Sequence, residues 1–318
     1  MIRHLTNSDI DKKKWDECVL NAFNGIITAY SWYLDIVADN WEALVEDDYV
    51  RIFPLITGKK GNIHYLYQPA FTQQLGVFSR SILTEEIVGS FLKAIPAKYR
   101  FAEINLNTLN KVPVGNYKVF NWQNFELDLI KTYENLYRNY SDNLKRNLKK
   151  PGNSGLSISK NIKPDEIIDL FRSNKGKNIK NLTDKHYQQL KRLSYMGIYK
   201  GLVVAYGVYS SQNQLLAGAI FAKSKNKMIF LFSGLSKEGR EFHALAVLLD
   251  AFIKEHSQQH LTLDFEGSND PNLARFYKGF GSSVCTYPHI KFNRLPFFIR
   301  IAVSVVKHTR QLVQNFFH

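Results

Sequence analysis

Residues 261–292 read LTLDFEGSNDPNLARFYKGFGSSVCTYPHIKF, and this stretch decides the fold. Residues 261–265, LTLDF, are predicted to form a strand. The run Asp264-Phe265-Glu266-Gly267-Ser268 ends it in a polar turn. Pro271 suits a first helical position, because the N–H that proline lacks has no helical partner there. The helix carries Ala274, Phe276, Tyr277 and Phe280 and closes at Gly281. Residues 283–292 follow as a last strand.

Upstream, residues 240–256 are predicted to be one long amphipathic helix. Residues 202–209, 214–222 and 228–233 before it read as three strands, joined by the polar turns SSQN and KSKN. Helices over 164–173 and 183–196 precede them. The first half repeats this order. It has helices over 8–22 and 31–38, then strands over 41–45, 49–57 and 62–67. A helix over 84–95 follows, opened by Thr84 with Glu85 and Glu86 in its first turn. A strand over 101–106 comes next, with two more before residue 130. Helix, helix, three-strand meander, helix, strand, helix, strand is the element order of the GNAT acyltransferase fold, and it occurs twice. The expectation is an α+β chain of tandem GNAT domains, each a mixed, mostly antiparallel sheet flanked by helices. The domains are set at 1–137 and 138–292, followed by a basic amphipathic helix over 293–318. The run PGNSG, 151–155, is the linker-like break.

A length of 318 residues suits two domains. With 45% hydrophobic and 22% charged residues, the chain is not a collagen, a coiled-coil rod or wholly disordered. Cys18 and Cys285 are too few for a disulfide scaffold or a cysteine-rich zinc site. The opening residues carry no export signal, and no apolar run is long enough to span a membrane, so a cytoplasmic protein is expected. The nine histidines show no metal-ligand spacing, and no metal is expected.

The net charge of +14 is localised. Residues 138–163 hold seven basic side chains against one acidic, and 291–318 hold five against none. Such a field favours a phosphate-bearing partner: nucleotide, RNA or anionic lipid. Over 141–150, Lys145 with Lys149 and Arg146 with Lys150 are i,i+4 pairs on roughly one helix face. Like charges at that spacing repel, and a phosphate ligand reverses the repulsion.

Three stretches together resemble the Fem family (FemABX) of peptidoglycan bridge-forming aminoacyltransferases and their relatives. Residues 261–292 resemble its Asp-Phe-x-Gly turn followed by Phe-Lys-x-x-Phe. Residues 140–150, YSDNLKRNLKK, resemble the basic helix that opens its second domain. Residues 67–79, YQPAFTQQLGVFS, resemble the Pro-x-x-x-Gln-x-Gly-x-x-Ser stretch of its first. The chain departs from the pattern after Phe276, where Tyr277 stands in place of lysine. Lys278 comes one residue later, turned by about 100° on a helix. The brevity of 164–200 matches compact members without a helical hairpin. The resemblance implies transfer of an acyl or aminoacyl group onto an amine, with aminoacyl-tRNA as the donor.

Tyr277 also lies four residues before Gly281, the spacing found at the end of an ordinary GNAT domain. Coenzyme A, the donor of that fold, needs a Gln/Arg-x-x-Gly-x-Gly/Ala turn whose bare N–H groups reach the pyrophosphate. That position reads Arg240-Glu241-Phe242-His243-Ala244-Leu245 in the second half and Gln73-Gln74-Leu75-Gly76-Val77-Phe78 in the first. The side chains of His243, Leu245 and Phe78 argue against acetyl-CoA.

For the reaction, Tyr277 is the candidate proton donor to the leaving group, Lys278 an electrostatic helper, and Asp264 or Glu266 the base. Backbone N–H groups over 232–235, at Ser233 and Gly234, are candidates to hold the oxyanion. Lys145, Arg146, Lys149, Tyr67, Gln74 and Phe276 are the candidate substrate-binding residues. Turn capping is the competing role for the two carboxyls, and core packing for Tyr277. No cofactor is expected, because the donor, aminoacyl-tRNA or acyl-CoA, is a co-substrate. Residues 295–318 read as a helix lying on an anionic membrane or docked on the protein. Two further readings stand beside the first. One is a CoA-dependent GNAT N-acyltransferase. The other is a tandem that binds an anionic ligand without catalysis.

Overall fold

The computed structural model describes residues 1–150, 155–179, 182–267 and 269–295. They form two compact units, one from Met1–Gln123 with the strand residues after Thr286, the other from Asn124–Cys285. The first unit holds β1 (Ile2–Leu5), α1 (Lys12–Asn21), α2 (Ser31–Val37), β2 (Trp41–Glu46), β3 (Arg51–Lys60), β4 (Ile63–Leu66), β5 (Phe78–Ser79), α3 (Glu85–Lys93), β6 (Tyr99–Asn105) and the start of β7 (Lys118–Asp128). The second holds the end of β7, then α4 (Tyr133–Arg138), α5 (Asp142–Leu148), β8 (Ser157–Lys160), α6 (Pro164–Ser173), α7 (Asp184–Tyr199), β9 (Val203–Tyr209), β10 (Leu215–Ser224), β11 (Lys227–Leu235), α8 (Lys237–Glu241), α9 (Ala244–His256), β12 (Thr262–Asp264), α10 (Pro271–Lys278) and the start of β13 (Ser283–Asn293).

The sheet of the first unit runs β1-β2-β3-β4-β6-β13, with β5 attached to β3. That of the second runs β7-β12-β11-β10-β9-β8. Each is a mixed sheet in which antiparallel neighbours predominate and one pair is parallel: β4 with β6, and β11 with β12. A helix, α3 or α9, lies in the connection between each parallel pair, as parallel strands require. The element order expected from the sequence is complete in the second unit; the first keeps it through β6 but has no helix between β6 and β7.

The units divide at Gln123/Asn124 and within the last strand, not at 137/138 and 292. Strand pairing explains this. β7 joins the second sheet through Glu126, Leu127 and Asp128, opposite Asp264, Leu263 and Thr262. β13 returns to the first sheet, where His289 to Asn293 pair with Asn105 to Phe101. The linker-like run lies outside the described residues except for Gly155, and the C-terminal helix lies outside them beyond residue 295.

Three other expectations are corrected. The polar opening residues form β1, which pairs antiparallel with β2. The two strands expected before residue 130 are one, β7. The helix over 240–256 is broken into α8 and α9 at His243, whose φ of +52° is left-handed and incompatible with a continuous helix. Capping reads as foreseen elsewhere. Thr84 Oγ1 accepts from Ile87 N–H, and Asp270 Oδ1 accepts from the N–H groups of Asn272 and Leu273 at 2.8 and 3.2 Å, just before Pro271.

Two apolar clusters build the first unit. One gathers Trp15, Leu34, Trp41 and Phe78, the other Phe53, Phe91, Tyr99 and Ile104. In the second, one cluster gathers around Phe125, Phe221, Phe252, Phe265, Tyr277 and Phe280, while Ile167, Phe171, Leu190 and Ile220 are buried outside it. Among the described residues, no helix is long and apolar enough to cross a membrane.

Candidate active site

The second sheet comes apart at one place. β11 pairs with β12 only through Lys227, Met228 and Ile229, opposite Thr262, Leu263 and Asp264. β11 then continues beside β10 to Leu235, while the other chain leaves the sheet. Phe265 N–H bonds to the Phe125 carbonyl, and Glu266 turns the backbone with φ +49°. A left-handed glutamate is strained, and strain of this kind gathers at functional positions. From Phe230 onward, the β12 side of β11 has no strand partner among the described residues. Ser233, half-buried, and Gly234, buried, lie on this stretch. Gly234 has to be glycine, because a Cβ there would stand 2.5 Å from the Ile167 carbonyl oxygen of α6.

Side chains of opposite character meet at this edge. Asp264 is clamped. Its Oδ1 accepts from Asn124 Nδ2 at 3.0 Å and from the Glu266 N–H at 2.9 Å, and its Oδ2 lies 3.4 Å from Lys227 Nζ. Lys227 also pairs with Glu126. Burial depresses the Lys227 ammonium, but Asp264 and Glu126 outweigh it and hold its pKa above the ordinary value. Glu266 is different. It is buried, and no cation pairs with it among the described residues. Burial first, and the Asp264 charge second, push its pKa well above the usual carboxylate range.

The Tyr277 ring belongs to the core, stacked on Phe265 at 5.0 Å between centroids and tilted on Phe125 at 6.0 Å. Its hydroxyl feels Glu266 and Asp270, and burial together with these charges raises its pKa. Tyr277 is thus packed in the core and within electrostatic reach of Glu266. Phe276 is half-buried against Phe280. Lys278 is exposed, with Nζ 5.8 Å from the centroid of the Phe125 ring. The one-residue offset seen in the sequence therefore separates Lys278 in environment from Tyr277.

The sequence missed two cations and one acid near this edge. Burial lowers the Lys175 pKa, Asp270 opposes that effect, and Arg240 adds to it. Lys175 is thus within electrostatic reach of Asp270 and of Arg240, and Asp270 is within reach of Tyr277. They lie far apart in sequence, and nothing in their spacing signals this.

The basic helix is shorter than expected. α5 ends at Leu148, with Lys149 as its C-cap and Lys150 beyond it. Lys145 bends back, its Nζ donating to the Arg138 carbonyl at 2.9 Å and lying 5.8 Å from the Tyr137 ring. Arg146 and Lys149 are exposed. Lys150 Nζ meets His243 Nε2 at 2.7 Å, at the N-terminus of α9. Burial, then the Lys150 charge, lower the His243 pKa, so the imidazole is the acceptor of this bond. His243 adopts the left-handed backbone that glycine would favour and adds an imidazole at the position where coenzyme A needs open N–H groups.

In the first unit, Tyr67 and Gln74 lie on a loop that fills the corresponding gap. β4 pairs with β6 through His64, Tyr65 and Leu66, and pairing resumes only at Leu75 with Leu106. Residues 71–79 between and beyond are all buried. Side-chain amides satisfy their backbone. Asn105 Nδ2 donates to the Gln73 carbonyl at 2.7 Å, Asn107 Nδ2 to that of Leu75 at 2.9 Å, and Asn24 Nδ2 to that of Val77 at 2.8 Å. Asn110 Oδ1 accepts from Val77 N–H at 2.7 Å. Gly76, at φ +103°, has to be glycine, because a Cβ there would stand 2.2 Å from that Oδ1. Gln74 Oε1 accepts from Thr108 N–H at 3.0 Å, so its amide is tied into the loop. Tyr67 is half-buried, and burial together with Asp39 pushes its pKa up to about 12. A small hollow of about 10 Å³ lies beside Tyr67, Gln68 and Asn105.

Among the described residues, no group of three or more His, Cys, Asp and Glu side chains is arranged to hold a metal. No family model matches the sequence, and no curated protein is similar to it. Solved structures share its fold. FemX aligns over 90% of this chain and 96% of its own, with 12% identity and a TM-score of 0.59. A conserved protein of unknown function from Bacteroides thetaiotaomicron VPI-5482 aligns over 92% and 99%, with 11% identity and a TM-score of 0.60. L-PGS from Bacillus licheniformis aligns over 93% and 96%, with 11% identity and a TM-score of 0.56. At these identities the likeness is one of fold: the chain is built as FemX is, from end to end of both.

Proposed function

We propose that the chain is a Fem-like transferase that moves an acyl or aminoacyl group from a phosphate-bearing donor onto an amine. The observation that carries this reading is the buried Glu266, without a paired cation among the described residues, at the turn where β12 leaves β11, with Tyr277 within its electrostatic reach. Amine attack on an ester or thioester carbonyl needs one proton removed from the amine and one given to the leaving group. Glu266, which burial makes a stronger base than an exposed carboxylate, is suited to take the proton of the amine. Tyr277 keeps its own proton and is suited to give it to the leaving group. N–H groups on the unpaired edge of β11 serve the oxyanion. Holding both reactants at this edge contributes up to about 7–11 kcal/mol. Asp264, held by Asn124 and Lys227, acts as the strut that orients Glu266 through its N–H.

The donor is an aminoacyl-tRNA rather than an acyl-CoA in this reading. His243 occupies the turn that coenzyme A needs open, and Arg146, Lys149 and Lys150 supply cations beside it. The test is a single-turnover assay with bulk labelled aminoacyl-tRNA and, separately, labelled acetyl-CoA, with a mixture of simple amines as acceptor. Transfer from tRNA that Tyr277→Phe and Glu266→Gln abolish supports the reading. Transfer from acetyl-CoA alone assigns the CoA-dependent alternative. Tight tRNA binding without transfer, unchanged by Tyr277→Phe, assigns a non-catalytic binder.

A further inference from the structure

Helix α7 ends in an apolar face that the second unit leaves in solvent. Gly197 turns inward, and its missing side chain lets α7 lie on β9, since a Cβ there would stand 2.2 Å from Val203 Cγ2. Arg192, Tyr195, Met196 and Tyr199 follow one another at i, i+3, i+4 and i+7 on the outward side, with Ile198 beside them. Tyr199 is 87% exposed, and Tyr195, Met196 and Ile198 are 42%, 40% and 40% exposed. Four adjoining apolar side chains at one helix end form a patch, and patches, unlike scattered exposed residues, call for an occupant.

The rim of the patch is cationic. Lys200 is the C-cap of α7. The Leu202 carbonyl accepts from the Lys223 N–H at 2.6 Å, which sets the turn of Lys223 and Lys225 against the end of the helix. Arg192, Lys200, Lys223 and Lys225 are all exposed. Asp165, the acid bonded to Tyr195, is already paired with Lys191. Glu166 also acts on Tyr195, so four exposed cations, Arg192, Lys200, Lys223 and Lys225, stand against two acids and the balance around the patch is positive.

Apolar and aromatic groups ringed by lysine and arginine suit a negatively charged bilayer. Rings and alkyl groups enter the headgroup boundary while the long cationic stems reach phosphates. Single-stranded nucleic acid needs stacking faces in a groove, and Met196 and Ile198 on a convex helix offer neither. We propose that the C-terminal end of α7, with the adjoining turn at Lys223 and Lys225, is a docking face for an anionic lipid surface. This inference is independent of the proposed reaction.

The full-length chain is sedimented with vesicles of phosphatidylcholine alone and of phosphatidylcholine with an equal share of phosphatidylglycerol. Binding is expected only to the anionic vesicles. Met196→Ser, Ile198→Ser and Tyr199→Ser together lower it about tenfold or more, as does Arg192→Glu with Lys223→Glu. These positions are exposed, and unchanged circular dichroism and melting confirm that each variant folds. Failure of the wild-type chain to bind anionic vesicles overturns the proposal. So does undiminished binding by the variants, which places lipid contact elsewhere on the chain. Binding of a single-stranded RNA oligomer that the same substitutions abolish, without vesicle binding, overturns it in favour of nucleic acid.

Discussion

The two units share the order helix, helix, three strands, helix, strand, and treat its weakest point in opposite ways. In both, parallel pairing beside the crossover helix gives out after three residue pairs. The first unit closes the gap with its own loop, buried from Phe71 to Ser79 and clasped by Asn24, Asn105, Asn107 and Asn110. The second leaves the edge of β11 without a strand partner and sets Glu266 and Tyr277 beside it. Their buried acids differ in the same sense. Burial pushes the Glu42 carboxyl up, but bonds from Tyr99, Lys98 and His4 hold its pKa below the ordinary value. Glu266 has no such partners among the described residues and is raised. The first unit is arranged for stability. The second keeps a buried carboxyl without a paired cation among the described residues, the kind of perturbed group that marks a candidate site.

The largest effect that tests this contrast is loss of the Tyr277 hydroxyl. Tyr277→Phe keeps the ring stacked on Phe265 and should lower transfer by about 10²–10⁴ with little change in melting temperature. Full activity would break the contrast at once. Next comes Glu42→Ala, which strips three partners of their acceptor. It should cost about 2–3 kcal/mol in urea unfolding, the range for hydrogen bonds to a charged group. The two acids should also carry opposite pH slopes. Glu42 stabilises above its unfolded pKa of about 4.3 and loses that contribution as pH falls through its lower folded value. Glu266, raised in the folded chain, favours folding below about 4.3 and loses that contribution as pH rises through its folded value. Glu266→Gln should therefore raise the melting temperature at neutral pH, by about 2–4 °C per kcal/mol relieved, and abolish transfer. A gain that persists unchanged at pH 3 would contradict the assignment. The smallest effect is local: Lys150→Ala should raise the His243 pKa, read by NMR titration, because a nearby cation is removed.

Much of the architecture is legible in local chemistry. Thr84, Asp270 with Pro271, and the alternation of strands with short polar turns mark their elements within a few residues. The breaks are not legible. Nothing between Arg240 and His256 forbids a continuous helix, because the left-handed turn at His243 is imposed by surrounding structure. β1 is hidden because a four-residue edge strand carries little pattern. Glu266 and Tyr277 stand out because one strand-turn-helix holds both. Lys175 and Arg240 do not, since only the tertiary fold brings their charges together. The helix end at Leu148 and the turn of the Lys145 amine back to the Arg138 carbonyl are local events that the run of cations does not announce.

The clasped loop of the first unit has a consequence of its own. By shape, residues 71–79 are a connection, and connections ordinarily trade their amide protons with water quickly. Here the carbonyls are held by asparagine side chains and the chain is out of reach of solvent. Measured by the clock of deuterium uptake, this segment should keep time with the strands around it and lose its protection only when the whole unit opens.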